Sequence, residues 1–392
     1  MVLSCSAASE GRRRVREAVE REGEGLSAVA VSSADGRISL EVEAKGEPWI
    51  EAVGQSGDLY SLEVPVSEES QVHCLIFPGG YHLGTLVTKL LAQEPEPRVK
   101  ERKLVAFDAG ALGGHAFVFV SYGGLVAGAE GDALFMVKAV GVSLGFSSFL
   151  CMHDDVGFEQ TFRTVVEGIA TSIRVRDGAP SQEPLRHEIY VTKSGSLAVG
   201  FLETRVYAIE GANRIALSRS TLILPISAEE VKAWDSIGIR KADASGRVAG
   251  EIAGAVTADG VDYELELGTA GEGSYRVVGV AAGQRIDETF RPRARLGDQR
   301  ALMHAIADLV SAGGDETQLE MWLPGIDPRH ATELRIRRIA TAETGELDVE
   351  VLGGPTAVRM RVDREGAAER IKFLHESGRE LEQTRVFGKG NW

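Results

Sequence analysis

The sequence predicts an α+β protein of two domains: an N-terminal antiparallel sheet with two packed helices, then a large curved antiparallel sheet, an incomplete barrel, with one covering helix. Three observations carry this. Short stretches of alternating apolar and polar residues recur from residue 26 to 387, separated by turns such as Asp35-Gly36, Asp259-Gly260 and Glu365-Gly366. Helix-period patterns are few, two in the first half and one in the second. Between the halves, residues 177–184 (DGAPSQEP) carry two prolines and no apolar periodicity, the mark of a connector. The expected division is therefore a charged segment over 1–25, an α+β domain over 26–176, a linker over 177–184 and a β-rich domain over 185–392.

In chain order, residues 11–24 suit a short charged helix with Val15 and Val19 as its apolar marks. A hairpin follows around Asp35-Gly36, with Ile38, Leu40 and Val42 alternating on its second strand. Strands are expected over 49–53, 59–64 and 72–77. A helix over 83–91 then has Leu83, Leu86, Val87, Leu90 and Leu91 on one face, and the Glu94-Pro95-Glu96-Pro97 segment stops it. Strands over 103–109, 115–122 and 134–142 lead to the strongest apolar run, 146–152. That run precedes a helix whose face holds Phe158, Phe162, Val165, Val166, Ile169 and Ile173. Beyond the linker, eight strands are expected between 188 and 290 and six between 318 and 387. One helix separates them, with Asp298 as N-cap, Leu302, Ala305, Ile306 and Leu309 inward, and Gly313 as its stop. The 46 glycines among 392 residues, well above the ~7% of average usage, fit such a turn-rich design.

Composition narrows the functional classes. With 58 acidic and 43 basic residues the formal charge is -15, which repels phosphate backbones, so no nucleic-acid partner is expected. The basic run Arg12, Arg13, Arg14 and Arg16 is followed by Glu17, Glu20, Glu22 and Glu24 and reads as a charged helix surface. No apolar run approaches the length of a membrane crossing. Three cysteines, Cys5, Cys74 and Cys151, are too few for a disulfide framework and lack the close pairs of a structural zinc site. The chain is expected to be cytoplasmic as written. Val2-Leu3-Ser4-Cys5, however, resembles the end of a bacterial lipoprotein signal, which makes a cell-envelope lipoprotein the alternative if Cys5 is the lipidated residue of a truncated precursor.

The densest cluster of reactive side chains is Cys151, His153, Asp154 and Asp155. Alternation puts Cys151 and His153 on one strand face, where with Asp155, and His73 or Cys74 across the sheet, they could hold a metal or supply a thiol. The plainer reading is a buried cysteine beside aspartates that cap the next helix, and it is the one expected here. No G-x-S-x-G string stands where a strand turns into a helix, and Ser147 and Ser148 lie within the apolar run. The glycine-rich segments 110–114 and 123–131 lack a P-loop string and read as turns. Asp235, Asp243, Asp259 and Asp262 read as solvated carboxylates. What remains is an apolar pocket in the second domain, lined by Phe201, Val206, Ile215, Leu217, Leu222, Leu224, Ile306, Leu309 and Trp322; the same residues would serve equally as a filled core.

Two resemblances sharpen this. The helix over 83–91 and the closing helix with Phe158-x-x-x-Phe162 give the first domain an element order that resembles PsbP and DcrB domains. That superfamily includes secretion-system chaperones that bind apolar helices, and the resemblance implies no catalytic residues. In the second domain, the strings GSLAVGF over 195–201, WLPGIDP over 322–328 and RMRVDREG over 359–366 resemble LolA-type lipoprotein carriers. In those a bent antiparallel sheet wraps an apolar cavity. The function expected from all this is non-enzymatic binding, without cofactor or metal, of an apolar ligand, an acyl chain, a lipoprotein or a protein partner. One alternative is a structural or assembly component of a multiprotein bacterial complex. Another is a metal- or thiol-dependent enzyme using Cys151, His153 and Asp155.

Overall fold

The computed structural model describes residues 25–54, 56–92, 99–128, 131–176, 183–209, 213–227, 231–257, 259–312, 314–339, 346–351, 356–363, 367–375 and 380–390. Cys5, the charged helix expected over 11–24, most of the linker, the Glu365-Gly366 turn and the helix stop at Gly313 lie outside the described residues. Strands hold 64% of the structure and helices 11%, so the protein is mainly β and the expected α+β class is wrong. Part of the reason lies in the glycine-rich segments. Gly110 sits inside the strand Val99–Leu112, and Gly123 and Gly124 inside the strand His115–Gly128, where turns were expected. Gly113 and Gly114 make the turn between them, so two 14-residue strands stand in place of shorter ones.

By its internal contacts the chain divides into two compact units, Met1–Ala179 with Ile223–Lys232, and Pro180–Leu222 with Ala233–Trp392. The first holds a small sheet of β1 (Ser27–Ser32), β2 (Ile38–Ala44) and β10 (Arg174–Val175), in the order β1-β2-β10. Its larger sheet is built from β3 (Trp49–Ala52), β4 (Tyr60–Pro65), β5 (Gln71–Phe77), β6 (Val99–Leu112), β7 (His115–Gly128), β8 (Gly131–Ser143) and β9 (Ser148–His153). Their order is β3-β4-β5-β9-β8-β7-β6, and all neighbours are antiparallel. Helix α1 (Leu83–Ala92) lies on β8, and Gly141 makes that approach possible: a Cβ there would come within 3.1 Å of the Leu83 side chain. Helix α2 (Glu159–Ser172) packs on β2. Phe162, Val165, Val166 and Ile169, spaced one helical turn apart, are all buried in the core shared by β2, β4 and β5. The hydroxyl of Ser172 donates to the Glu41 carbonyl at 2.7 Å and fixes the end of the helix to that strand.

The second unit is one 14-stranded antiparallel sheet whose strands follow a simple rule. β11 (Arg186–Ser194), β12 (Leu197–Ala208), β13 (Arg214–Pro225), β14 (Val231–Ala242), β15 (Val248–Thr257), β16 (Gly260–Gly271), β17 (Ser274–Ala281) and β18 (Gln284–Phe290) each lie beside their sequence neighbour. So do β19 (Glu316–Met321), β20 (Thr332–Arg338), β21 (Glu346–Val351), β22 (Thr356–Val362), β23 (Ala368–His375) and β24 (Glu380–Gly390). The two meanders join where β11 pairs with β24. Among the described residues the cycle breaks between β18 and β19, and the connection across that break carries helix α3 (Gln299–Ala312). Asp298 caps that helix, its Oδ1 accepting the Ala301 N–H at 2.9 Å.

Among the described residues of this unit, two apolar clusters stand out. In one, Ile306 and Leu309 of α3 pack with Tyr190, Ile336, Leu347, Met360 and Val362. In the other, Trp322 packs with Val248, Leu265, Leu267, Tyr275, Val277, Ile286, Phe290 and Leu296. β12 and β13 approach closely at Gly200, where a Cβ would stand 2.0 Å from the Thr221 carbonyl oxygen, a contact no side chain survives.

Candidate functional site

The expected reactive cluster of the first unit is rearranged by one bond. Cys74 on β5 and Cys151 on β9 are register partners, and their sulfurs form a disulfide with Cα atoms 4.0 Å apart. Cys151 is therefore neither thiolate nucleophile nor metal ligand in this state. His153 shares its strand face, is 1% exposed, and hydrogen-bonds through Nε2 to Ser70 Oγ at 2.9 Å. Burial, aided by the Lys138 charge, pulls its pKa down to about 4 against the weaker pull of Asp155 and Asp154. His73 lies on the opposite face and contacts Glu63. Asp154 and Asp155 do not cap α2, because the N-cap is Phe158 in a left-handed conformation, φ 55°, with no side-chain cap. The turn is held instead by Lys138, buried within the sheet, whose Nζ donates to the carbonyls of Asp155 and Gly157 at 2.6 and 2.7 Å. Among the described residues no group of three His, Cys, Asp or Glu side chains converges as a metal site. The string Gly141-Val142-Ser143-Leu144-Gly145 does match G-x-S-x-G, but it joins β8 to β9 rather than strand to helix, and Ser143 is fully buried.

The nine residues expected to line one apolar pocket are not brought together. Ile306 and Leu309 share the α3 cluster, whereas Trp322 belongs to the other. Phe201, Val206 and Leu217 are buried on β12 and β13, while Ile215, Leu222 and Leu224 are half-buried. The register pairs Phe201 with Thr221, Val206 with Ala216 and Arg205 with Leu217. Alternation then puts Phe201 and Leu217 on one face, and Val206, Leu222 and Leu224 on the other. The face of Phe201 is also charged: Glu203 accepts from Arg205 Nε and pairs with His187 Nε2, both at 2.8 Å, in a buried group. Asp235, expected to be solvated, is buried and accepts a 2.7 Å hydrogen bond from Thr221.

Concave space instead lies at the break in the sheet. A cleft of about 850 Å³ is lined by Gln284, Ile286 and Phe290 of β18, by Glu320 of β19 and Thr332 and Glu333 of β20, and by the segments 291–293 and 326–331. Both ends of the 14-stranded sheet thus reach one site, so the sheet curls nearly closed, as in a barrel. Trp322 anchors the covering loop, its Nε1 donating to the Pro328 carbonyl at 3.2 Å. Asp327 holds the loop's bend by accepting the N–H groups of Arg329 and His330 at 2.8 and 3.2 Å. The floor is apolar, with Ile286 and Phe290 buried and Ile326 at the mouth 44% exposed. Arg291, Arg293, Arg329 and His330 stand around it. The sequence signal for this wall was the WLPGIDP string, which reads as a turn because its residues carry no periodicity.

Among the described residues no helix is long and apolar enough to cross a membrane. No protein-family model matches the chain, and no curated protein matches it. Among solved structures, the chain is similar to a β-barrel-like protein of a domain of unknown function, DUF1849, from Brucella abortus. That match has 8% identity, a TM-score of 0.41, and covers 53% of this chain and 98% of that one. A DUF1089 family protein from Pseudomonas aeruginosa matches at 14% identity and a TM-score of 0.27, over 50% of this chain and 95% of that one. Neither match shows the expected resemblance to PsbP, DcrB or LolA-type proteins, and likenesses this distant carry no argument. The two large sheets themselves make the architecture β-rich.

Proposed function

We propose that the protein is a non-enzymatic binding protein whose second unit takes an apolar or part-apolar small molecule in the cleft at the break of its sheet. The observation that carries this is the cleft itself: its volume lies within the ~300–1,000 Å³ of small-molecule sites, and apolar side chains, Ile286, Phe290 and Ile326 among them, share its lining about equally with polar ones. The reading keeps the ligand class expected from the sequence but moves the site, from the strand faces of β12 and β13 to the loop anchored by Trp322. An enzyme built on Cys151, His153 and Asp155 is disfavoured by the disulfide, which removes the thiol from play. The same bond favours an oxidising compartment, hence the cell envelope over the cytoplasm, because cytosolic reductants keep such pairs open. Titration with Nile red, a neutral apolar dye, tests the proposal. Saturable one-to-one binding that is lost in Ile326→Arg supports it, and binding that is absent or unchanged in that variant rejects the cleft as the site.

A further inference from the structure

Six side chains of the cleft specify more than apolarity. Its formal charges cancel, three arginines against Glu320, Asp327 and Glu333, so what matters is which groups are already engaged. The acids are. Glu320 Oε2 accepts the Ala294 N–H at 2.6 Å, Asp327 holds two backbone N–H groups and the His330 ring, and Glu333 faces Arg293 at 3.7 Å. Two guanidiniums are not. Arg329 reaches only the amide oxygen of Gln284, at 3.4 Å, and Arg291 has no partner among the described residues. Thr332 adds a third donor: it lines the cleft, is 5% exposed, and its Oγ1 has no hydrogen-bond partner among the described residues. A buried hydroxyl in that condition is costly unless something bonds to it.

Resting on the proposed binding role, we infer that the ligand is an anionic amphiphile. Its acidic head, a carboxylate or phosphate, is received by Arg291, Arg329 and Thr332, and its hydrocarbon chain lies on Ile286, Phe290 and Ile326. Guanidinium forks match the planar or tetrahedral oxygens of such heads and supply charge-assisted bonds. A cationic ligand would find Glu320 and Asp327 already holding backbone donors, and Glu333 already facing the Arg293 guanidinium. In a chain of net charge -15, long-range attraction does not draw an anion, so recognition must come from these short contacts.

Calorimetric titration of the full chain below micellar concentrations tests this with four probes of one chain length: dodecanoate, dodecyl phosphate, 1-dodecanol and dodecyltrimethylammonium. The anions should bind at least roughly tenfold more tightly than the alcohol, the expectation for one charge-assisted hydrogen bond. Arg291→Ala with Arg329→Ala should bring dodecanoate down to the alcohol's affinity and leave the alcohol unchanged, and Thr332→Val should weaken the anions alone. Both arginines lie on the surface, so the double variant should fold, and Arg329→Lys should keep part of the preference. Equal binding of alcohol and anions, tighter binding of the ammonium, or no change in the double variant overturns the inference while the binding role stands. Full displacement of dodecanoate by millimolar inorganic phosphate also overturns it, since the chain would then contribute nothing. If none of the four probes nor Nile red binds, the proposed function itself fails.

Discussion

Opening the Cys74–Cys151 bond should cost the first unit much of its stability. The bond closes a loop of 77 residues, and the chain-entropy relation gives about 4.5 kcal/mol at 25 °C for a loop of that size. Domains are stable by only ~5–15 kcal/mol, so this is a large fraction of the total. At the unfolding entropy of a unit of some 150 residues it lowers the melting temperature by roughly 10–15 °C. Both sulfurs are buried, so reduction should be slow in the native protein and complete after mild unfolding. The assay is a pair of calorimetric scans, on oxidised protein and on protein reduced in denaturant and refolded with thiol, backed by the Cys74→Ala, Cys151→Ala double variant. Thiol titration in denaturant gives an independent count: of three cysteines, one should react before reduction and three after. Three reactive thiols in unreduced protein prepared without reductant, or scans that superimpose, would refute the reasoning.

Phe162→Ala should cost ~3–5 kcal/mol, because the ring is 2% exposed in the core under α2 and leaves a cavity when removed. Only the transition of the first unit should move, and differential scanning calorimetry reads this directly. His153 should make the protein acid-sensitive. Its folded pKa, about 4, lies below the ~6.5 of the unfolded chain, so between those values the unfolded chain takes up a proton that the folded one refuses. Stability therefore falls from pH 6.5 to pH 4 by about 3 kcal/mol on this account. His153→Gln should flatten that part of the urea-denaturation profile, and an unchanged slope would assign the acid sensitivity elsewhere. Gly200→Ala should unfold or misfold the second unit, since its Cβ would stand 2.0 Å from the Thr221 carbonyl; a native circular dichroism spectrum and unchanged melt would show that β12 and β13 are not so closely apposed.

Much of the strand pattern was legible because alternation is a local signal. Thr332–Arg338 reads as a strand from its own residues, and its burial alternates as the sequence does. The class was misjudged where local signals mislead, as at Gly123 and Gly124, which mark turns in most contexts and here lie in the middle of a paired strand. Cys74 could be placed across the sheet from Cys151 as a candidate metal ligand, but the bond between them was not legible, because three cysteines do not look like a disulfide framework and nothing local fixes the register of strands 77 residues apart. Asp154 and Asp155 look like helix caps by type and position, yet the backbone turns at Phe158, a residue no capping rule would select. Sequence alone could not separate a lined cavity from a filled core in the second unit, because both need the same inward residues. The cleft is made instead by irregular loops, where side chains converge only after the two ends of a long meander have met.

The segment between β18 and α3 gives that meeting point a mechanical meaning. Leu296 bridges Glu320 of β19 in parallel, and Arg247, just ahead of β15, bridges Gly297. A short run of chain thus works as a clasp between β19 and the start of β15, and it occupies part of an edge that would otherwise invite strand addition by another molecule. A clasp held by a few hydrogen bonds rather than a full ladder should open early. Amide exchange should begin there and run inward along β19, and whatever fills the neighbouring cleft, touching both ends of the sheet at once, would act as a pin that slows it.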